Sequence, residues 1–465
     1  MYRHITSQEP GTLTDWTPRL APGTGLAHER LSAALAEDVT RGHLPVGARL
    51  PAHRELAREL GLSVGTVTRA YATLQRRGLA RSEHGRGMFV LAAPRRAPDR
   101  LDFSVNLPAA ILTPRMLSDM LSAAAAALDP ALFASYSPPA GTPQDRQFLA
   151  AHLAAARGLR VDPGHLLITT SAQHAIFIAL ATAPAGPVAV EALSYPQALT
   201  AARRLGRRLV PIALDAEGVC PDALEAALRA PDPPRALYLV PTLQNPTGAV
   251  MSAARRARIV ALARRHDLIL IEDDVYACLA PEAGPSLAEL APERVFHASS
   301  FSKSLAPGLR LGYLACPPTL VDPACDWLQS TTCMTSPHSC ALMRHAVADG
   351  LLDSVATSIR AETARRHALA REVLGDAVFP TALPGLQVWL PMPVARARDI
   401  VRRAGQRNIQ IASPLAFMAD PAAPEAGLRL CLGNVTETEL GPALEIIAGL
   451  VRDEAAARLD EGAVI

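Results

Sequence analysis

The chain has 465 residues, 49% of them hydrophobic and 19% charged, with a formal net charge of +2. That length exceeds one ordinary domain, the apolar share suffices for a large core, and the composition argues against disorder. No apolar run reaches membrane-spanning length, and the first residues lack the apolar centre of a secretory signal. The seven cysteines form no CxxC pair and no metal-type Cys/His spacing, so reduced thiols in a cytoplasmic protein without a metal site are expected. Charge is uneven: residues 1–96 hold 14 arginines against 8 acidic side chains, which points to an anionic partner for that block.

A Thr/Pro/Gly-rich flexible tail is expected over residues 1–22, followed by a compact module over 23–91. "LAHERLSAALAEDVTRGHL" (26–44) has apolar residues at helical spacing, and Pro45, Gly47 and Pro51 end the helix. In "AHRELARELGLSVGTVTRAYATLQRRG" (52–78), Leu56 and Leu60 line a short helix and Gly61 supplies a turn. Ser63 then caps a second helix whose buried face is Val67, Ala70, Tyr71 and Leu74. This is the grammar of a helix-turn-helix, although a plain three-helix packing unit shares it. "GLARSEHGRGMFVL" (78–91) adds two short strands around a wing at His84, Gly85 and Arg86. A helix entering the major groove by its first turn would point Val64, Gly65, Thr66 and Thr68 at base edges and Arg69 at phosphate. Arg54 and Arg86 would pair with backbone phosphates of a double-stranded operator.

Residues 26–90 resemble the winged-helix domain of the GntR family of bacterial regulators, through "GHLPVGARLPAHRELA" and "LGLSVGTVTRAYATL". The resemblance implies DNA contacts from Arg54, from the start of the recognition helix at Ser63 and Val64, and from the wing residues His84 and Gly85. One departure is Val64, where many members carry arginine; base readout then shifts to Thr66, Thr68 or Arg69.

"LAAPRRAPDR" (91–100) reads as a linker, assigned to 92–101, and a body follows over 102–455. Its clearest strand candidates are "HLLITT" (165–170), "PVAVEAL" (187–193), "ALYLVPT" (236–242), "LILIEDD" (268–274), "RVFHASSFS" (294–302) and "RLGYLAC" (310–316). Continuous apolar strands separated by helices predict an α/β fold with a mainly parallel sheet covered on both faces. A large lobe is expected over about 140–325 and a smaller one over about 326–455. Ligands of such sheets bind at the strand C-terminal ends. The basic runs at 201–209 and 254–267 read as solvated faces of covering helices.

Of the 46 basic residues one is lysine, Lys303, and 45 are arginine. Arginine serves wherever charge and hydrogen bonding suffice, but its pKa above about 12 prevents it from acting as a free amine. A desolvated lysine can condense with a carbonyl, and a Schiff base with pyridoxal phosphate is the leading chemistry of that kind. Its surroundings fit. Ser300, Ser302 and Arg310 make a phosphate cradle. "ITTSAQHAIFIAL" (168–180) turns from strand to helix at Ser171, with the N–H groups of Ala172 and Gln173 facing an anion. Asp273, ending a strand, is placed to pair with a pyridinium nitrogen. Asn245 and Tyr276 are placed to donate to a ring phenolate, and Tyr195 offers a face for stacking.

The order of "SFSKSLAPGLRLG", "NPTG" and "DDVY" resembles the fold-type I pyridoxal-phosphate aminotransferases of class I/II over 101–455. The resemblance implies that Lys303 carries the cofactor as a Schiff base and Asp273 faces its ring nitrogen. Asn245 and Tyr276 would hold the 3′-oxygen, with Ser300, Ser302, Arg310, Ala172 and Gln173 on the phosphate. It also implies that Tyr136 reaches the phosphate of the neighbouring subunit, hence a homodimer, and that Arg429 clamps a substrate or effector carboxylate. Ser171 stands where glycine is usual and His174 where glutamine is usual. A winged helix joined to such a body is similar to the MocR subfamily of GntR regulators. The expectation is a regulator that binds pyridoxal 5′-phosphate and senses the cofactor itself or a small amino-compound effector. The alternative is a working aminotransferase with an accessory DNA-binding module.

Overall fold

A computed structural model describes residues 16, 18–20, 26–40, 44, 47–76, 79–83, 87–90 and 100–453, which divide into two units at Asp99 and Arg100. Among them, no helix is long and apolar enough to cross a membrane.

The N-terminal unit contains helices α1 (Ala27–Thr40), α2 (His53–Glu59) and α3 (Val64–Arg76), then strands β1 (Ala80–Glu83) and β2 (Gly87–Val90). Leu31 and Leu35 of α1 meet Leu56 of α2 and Val67, Ala70, Tyr71 and Leu74 of α3 in one buried cluster. Periodicity explains this, since residues three and four apart share a helix face. Gly61 sits in the left-handed region at φ +64° with open space around it, so the turn needs glycine for its backbone and not for room. β1 and β2 pair antiparallel, and Ala48 and Leu50 add hydrogen bonds to Val90 and Met88, giving a third short edge. The wing tip His84, Gly85 and Arg86 lies outside the described residues.

The body opens with β3 (Leu101–Asp102). Its central sheet uses β4 (Leu166–Thr169), β5 (Val188–Glu191) and β6 (Leu209–Ile212), with the small hairpin β7 (Leu214–Asp215) and β8 (Gly218–Val219) set apart from it. It continues with β9 (Ala236–Leu239), β10 (Ile269–Asp273), β11 (Val295–Ser300) and β12 (Gly312–Ala315). The seven-strand order is β4-β12-β11-β10-β9-β5-β6. Every residue of β4, β5, β9, β11 and β12 is buried whichever way it points, so both faces are covered. β12 is antiparallel to both neighbours. A parallel return from β11 needs a crossover of a dozen or more residues, usually a helix, and the link from Ser300 to Gly312 holds only the short turn Pro307–Leu309. β6, "LVPI", was not among the expected strands; Pro211 interrupts its apolar run, which is tolerated because β6 is an edge strand paired only with β5.

A second apolar cluster surrounds β13 (Gln387–Pro393), β14 (Ile409–Gln410) and β15 (Glu425–Cys431), where β13 and β15 pair antiparallel and β14 pairs with β3. The helices Val321–Thr332 and Pro337–Ala348 pack with the large cluster, so the cores do not part near residue 326. They part within the helix Leu351–Leu374: Leu352, Val355 and Ile359 belong to the large cluster, Ala370 and Leu374 to the small one. Phe103 joins the small cluster too, because β3 pairs with β14. A continuous helix has no Pro/Gly break to mark such a boundary in sequence.

Candidate functional site

In the N-terminal unit, α3 begins in an exposed first turn. Ser63 Oγ accepts from the Thr66 N–H at 3.1 Å and meets the Thr66 hydroxyl at 2.8 Å. Val64, Gly65, Thr68 and Arg69 are exposed and Thr66 is half-buried. The Thr68 hydroxyl donates back to the Val64 carbonyl at 2.9 Å. Arg54 is exposed on α2. On the opposite side of α3, Tyr71 donates to the Pro51 carbonyl at 2.8 Å and packs edge-on to His53, which seats the helix.

In the body, a cavity of about 610 Å³ opens at the C-terminal ends of β10 and β11. Its lining includes Asp273, Ser300, Ser302, Lys303, Arg310, Tyr276, Asn245, Tyr195, Ala172, Gln173 and Arg429, all expected from sequence. The antiparallel β12 explains one member. Its N-terminal end lies beside the C-terminal ends of β11 and β4, pairing Gly312 with Ser300 and Thr169, and so brings Arg310 to the same rim. Gly312 has no room for a side chain: an added Cβ would meet Ser171 C, Ala172 N and Ser299 O at 2.5–2.8 Å. The closing glycine of the "SFSKSLAPGLRLG" motif therefore lets the strand press against the start of the helix Ala172–Thr182. That helix is capped by Ser171, whose Oγ accepts from the His174 N–H at 3.1 Å. The first-turn N–H groups of Ala172 and Gln173 have no intrahelical acceptor, and both residues line the cavity.

Lys303 is half-buried, and its ammonium donates to the backbone carbonyl of Asn106. Burial, helped by the nearby Arg429 guanidinium, lowers its pKa to about 8. The amine lies 6.0 Å from the centre of the Tyr276 ring. Asp273 is buried, accepts from the Tyr238 hydroxyl at 2.8 Å, and is pushed up to about 6 by desolvation. The Tyr276 hydroxyl accepts from Asn106 Nδ2 at 2.9 Å and from Asn245 Nδ2 at 3.3 Å, and burial raises its pKa. Desolvation likewise pushes Tyr195 up to about 12. Arg429 on β15 donates to Asn245 Oδ1 at 3.0 Å and to the Ser104 carbonyl at 2.5 Å, with its guanidinium 4.7 Å from the Phe417 ring centre.

One expected residue, and the residue at one position of departure, stand elsewhere. Tyr136 is 86% exposed and does not line the cavity of its own chain. His174 turns away from the cavity to Thr331, 2.8 Å from Nε2, so the departure at that position leaves the lining unchanged. Sequence reasoning missed Asn106, Ser104, Tyr238, Gln387 and Phe417. Asn106 is central: its amide nitrogen serves Tyr276 and Gln387, its carbonyl holds Lys303, and its Oδ1 is buried without a partner. Nothing in "FSVNLPAA" marks it, whereas Tyr238, a lone phenol within the aliphatic "ALYLV", was open to notice.

The residues fit pyridoxal 5′-phosphate. They offer one amine of depressed pKa, one buried carboxylate, and hydroxyls, a guanidinium and helix N–H groups for a phosphate. Asn106 Oδ1 and Arg429 Nε, both buried and unpaired, are open to a further polar ligand.

Fold and site thus define a winged helix-turn-helix joined to an aminotransferase-like body. Residues 98–447 match the family "aminotransferase class I and II" and residues 27–90 match "bacterial regulatory proteins, gntR family". The chain is 28% identical over 457 residues to an uncharacterized HTH-type transcriptional regulator, YdeF, of Bacillus subtilis, covering 94% of this chain and 97% of that one. It is 30% identical over 370 residues to the HTH-type pyridoxine biosynthesis transcriptional regulator PdxR of Corynebacterium glutamicum, covering 75% of this chain and 78% of that one. The body superposes on LysN, the α-aminoadipate aminotransferase of Thermus thermophilus solved with N-(5′-phosphopyridoxyl)-L-leucine, with a TM-score of 0.69 at 28% identity, covering 77% and 93% of the two chains. The chain belongs to the aminotransferase class I and II family and, by its N-terminal GntR domain, to the MocR-type regulators.

Proposed function

We propose that this protein is a dimeric transcription regulator that binds pyridoxal 5′-phosphate on Lys303 and reports an amino-compound effector, or the cofactor itself, to an operator. The observation that carries this reading is the chain's single lysine, its pKa drawn down to about 8 by burial, in one cavity with Asp273, Arg310 and Arg429. When bound, the cofactor supplies an aldehyde that a primary amine captures and a ring that withdraws electrons.

The chain's own residues divide the work. Lys303 releases its proton near neutral pH because its desolvated ammonium is disfavoured. Asp273 holds the ring nitrogen end, and its burial makes that pairing strong. Tyr195 packs on the ring, Asn245 and Tyr276 hold the 3′-oxygen, and Ser300, Ser302, Arg310 and the Ala172 and Gln173 amides hold the phosphate. Tyr136, exposed in its own chain, reaches the site of a second copy. Arg429 receives the effector carboxylate through the edge that Asn245 and Ser104 leave open. On the DNA side, Ser63, Val64, Thr66 and Thr68 present the first turn of α3 to base edges, while Arg54, Arg69 and the wing residues His84, Gly85 and Arg86 meet the operator and its phosphates. An effector changes DNA binding only to the extent that it binds two arrangements of the dimer with different affinity.

A second reading, a working aminotransferase, is favoured by one observation: Lys303, Asp273, Asn245, Tyr276, Arg310 and Arg429 line one cavity. Footprinting of the promoter regions with and without pyridoxal 5′-phosphate tests the first reading, with a cofactor-dependent protected site as the expected outcome. Sustained turnover of an amino donor with a 2-oxo acid, together with no specific footprint, would establish the second.

A further inference from the structure

The cavity has a charge inventory that constrains what else enters it. Its lining carries three cationic side chains, Lys303, Arg310 and Arg429, and one carboxylate, Asp273. On the reading above, on which this inference rests, all four are committed: Lys303 to the aldehyde or, where an incoming amine takes that place, to the Asn106 carbonyl it already meets, Arg310 to the phosphate, Asp273 to the ring nitrogen and Arg429 to an α-carboxylate. Tyr195 and Tyr276 are held neutral, since burial raises both phenols. The rest of the lining, which includes Val105, Ile176, Gln197, Ile411 and Ser413, carries no charged side chain, and Gln410 already donates to Ser104 Oγ at 3.2 Å. Among the described residues this wall offers neither a cation for a second carboxylate nor an anion for a second ammonium.

We infer that the small molecule this site accepts is an α-amino acid with an uncharged side chain, and that acidic and basic side chains are rejected. A charge brought against a wall that holds no opposite charge keeps much of its desolvation cost without a compensating partner. A neutral chain of the same length has no such cost and gains contact with Ile411 and Val105. Selectivity comes from what the wall lacks, the usual form of discrimination by an unpaired buried charge.

The test uses three six-carbon α-amino acids that differ only at the chain end: L-norleucine, L-2-aminoadipate and L-lysine. The full-length protein is loaded with pyridoxal 5′-phosphate, and each probe is titrated while the visible absorbance of the bound cofactor is followed, without any turnover assay. Norleucine is expected to half-saturate at a concentration at least about tenfold below either charged probe. Equal or tighter binding of 2-aminoadipate or lysine would overturn the inference and point to a charge supplied by a second copy of the chain. A coloured protein whose spectrum none of the three probes shifts would also overturn it. Protein that never colours, and retains no pyridoxyl group after borohydride, overturns the cofactor reading beneath it, a distinguishable failure.

Discussion

Two helices of this molecule begin in the same way and do so in opposite surroundings. α3 and the helix Ala172–Thr182 each start from a serine, Ser63 or Ser171, whose Oγ accepts from the N–H three residues on at 3.1 Å. The first turn of α3 is exposed around Gly65, where an added Cβ would meet only Ser63 Oγ, at an ordinary 3.8 Å. The first turn after Ser171 is pressed by Gly312, whose missing Cβ is the only reason the backbones clear each other. Both ends suit an anion, because orphan N–H groups and the helix dipole favour negative charge. In water that attraction is screened by salt, and the operator must be held by many weak contacts. In the cavity it is fixed in place beforehand, and few groups suffice to hold one phosphate.

The contrast can be broken in stages. Replacing Lys303 with arginine keeps a cation but removes the amine; cofactor colour and borohydride-fixed pyridoxyl should vanish, while DNA binding without cofactor stays unchanged in a gel-shift assay. Gly312→Ala places a methyl against three backbone atoms that cannot swing aside, so a loss of about 3 kcal/mol in chemical denaturation is expected, with weaker cofactor binding. Gly65→Ala, at the matching place in α3, meets only Ser63 Oγ at 3.8 Å and should change stability by about 0.5 kcal/mol in the favourable direction.

Asp273 gives a prediction in pH. Its folded pKa, about 6, lies above the ordinary aspartate value of 3.8, so the contribution of the protonated form is fully present below about 4 and lost as pH rises through 6. In cofactor-free protein, Asp273→Asn should therefore gain stability relative to the parent between pH 4 and 7 by about 3 kcal/mol, then level off. A flat difference would mean that Asp273 is not desolvated. Lys303 sets the complementary limit: with a pKa of about 8, the rate of colour formation should rise about fivefold from pH 7 to 8 and less than twofold beyond.

The smallest effects belong to the surface. Arg54→Ala and Arg69→Ala, each removing an exposed guanidinium, should weaken operator binding about three- to tenfold and each lower the salt-dependence slope by about 1, read by anisotropy across a salt series.

What could be read in advance followed from local chemistry. The caps Ser63 and Ser171, the buried face of α3 and the strand ends carrying Asp273, Ser300 and Lys303 are written in spacings of two to four residues, which neighbouring side chains and backbone dihedrals obey. β6 escaped because Pro211 makes an edge strand look like a break, and the antiparallel turn of β12 escaped because strand direction depends on the length and content of the link before it.

By itself the sequence determined that one amine stands among 45 guanidinium groups, and that it follows a strand and precedes a glycine-ended motif. Only tertiary structure decided that Asn106, 197 positions away, would hold that amine, and that Arg429, 184 positions from Asn245, would share its amide oxygen. Such pairings are chosen by which segments two lobes bring to a common rim, and no local preference of the chain encodes that meeting. The same holds for the lobe boundary, hidden inside one unbroken helix because the two cores use successive lengths of one continuous buried stripe along it.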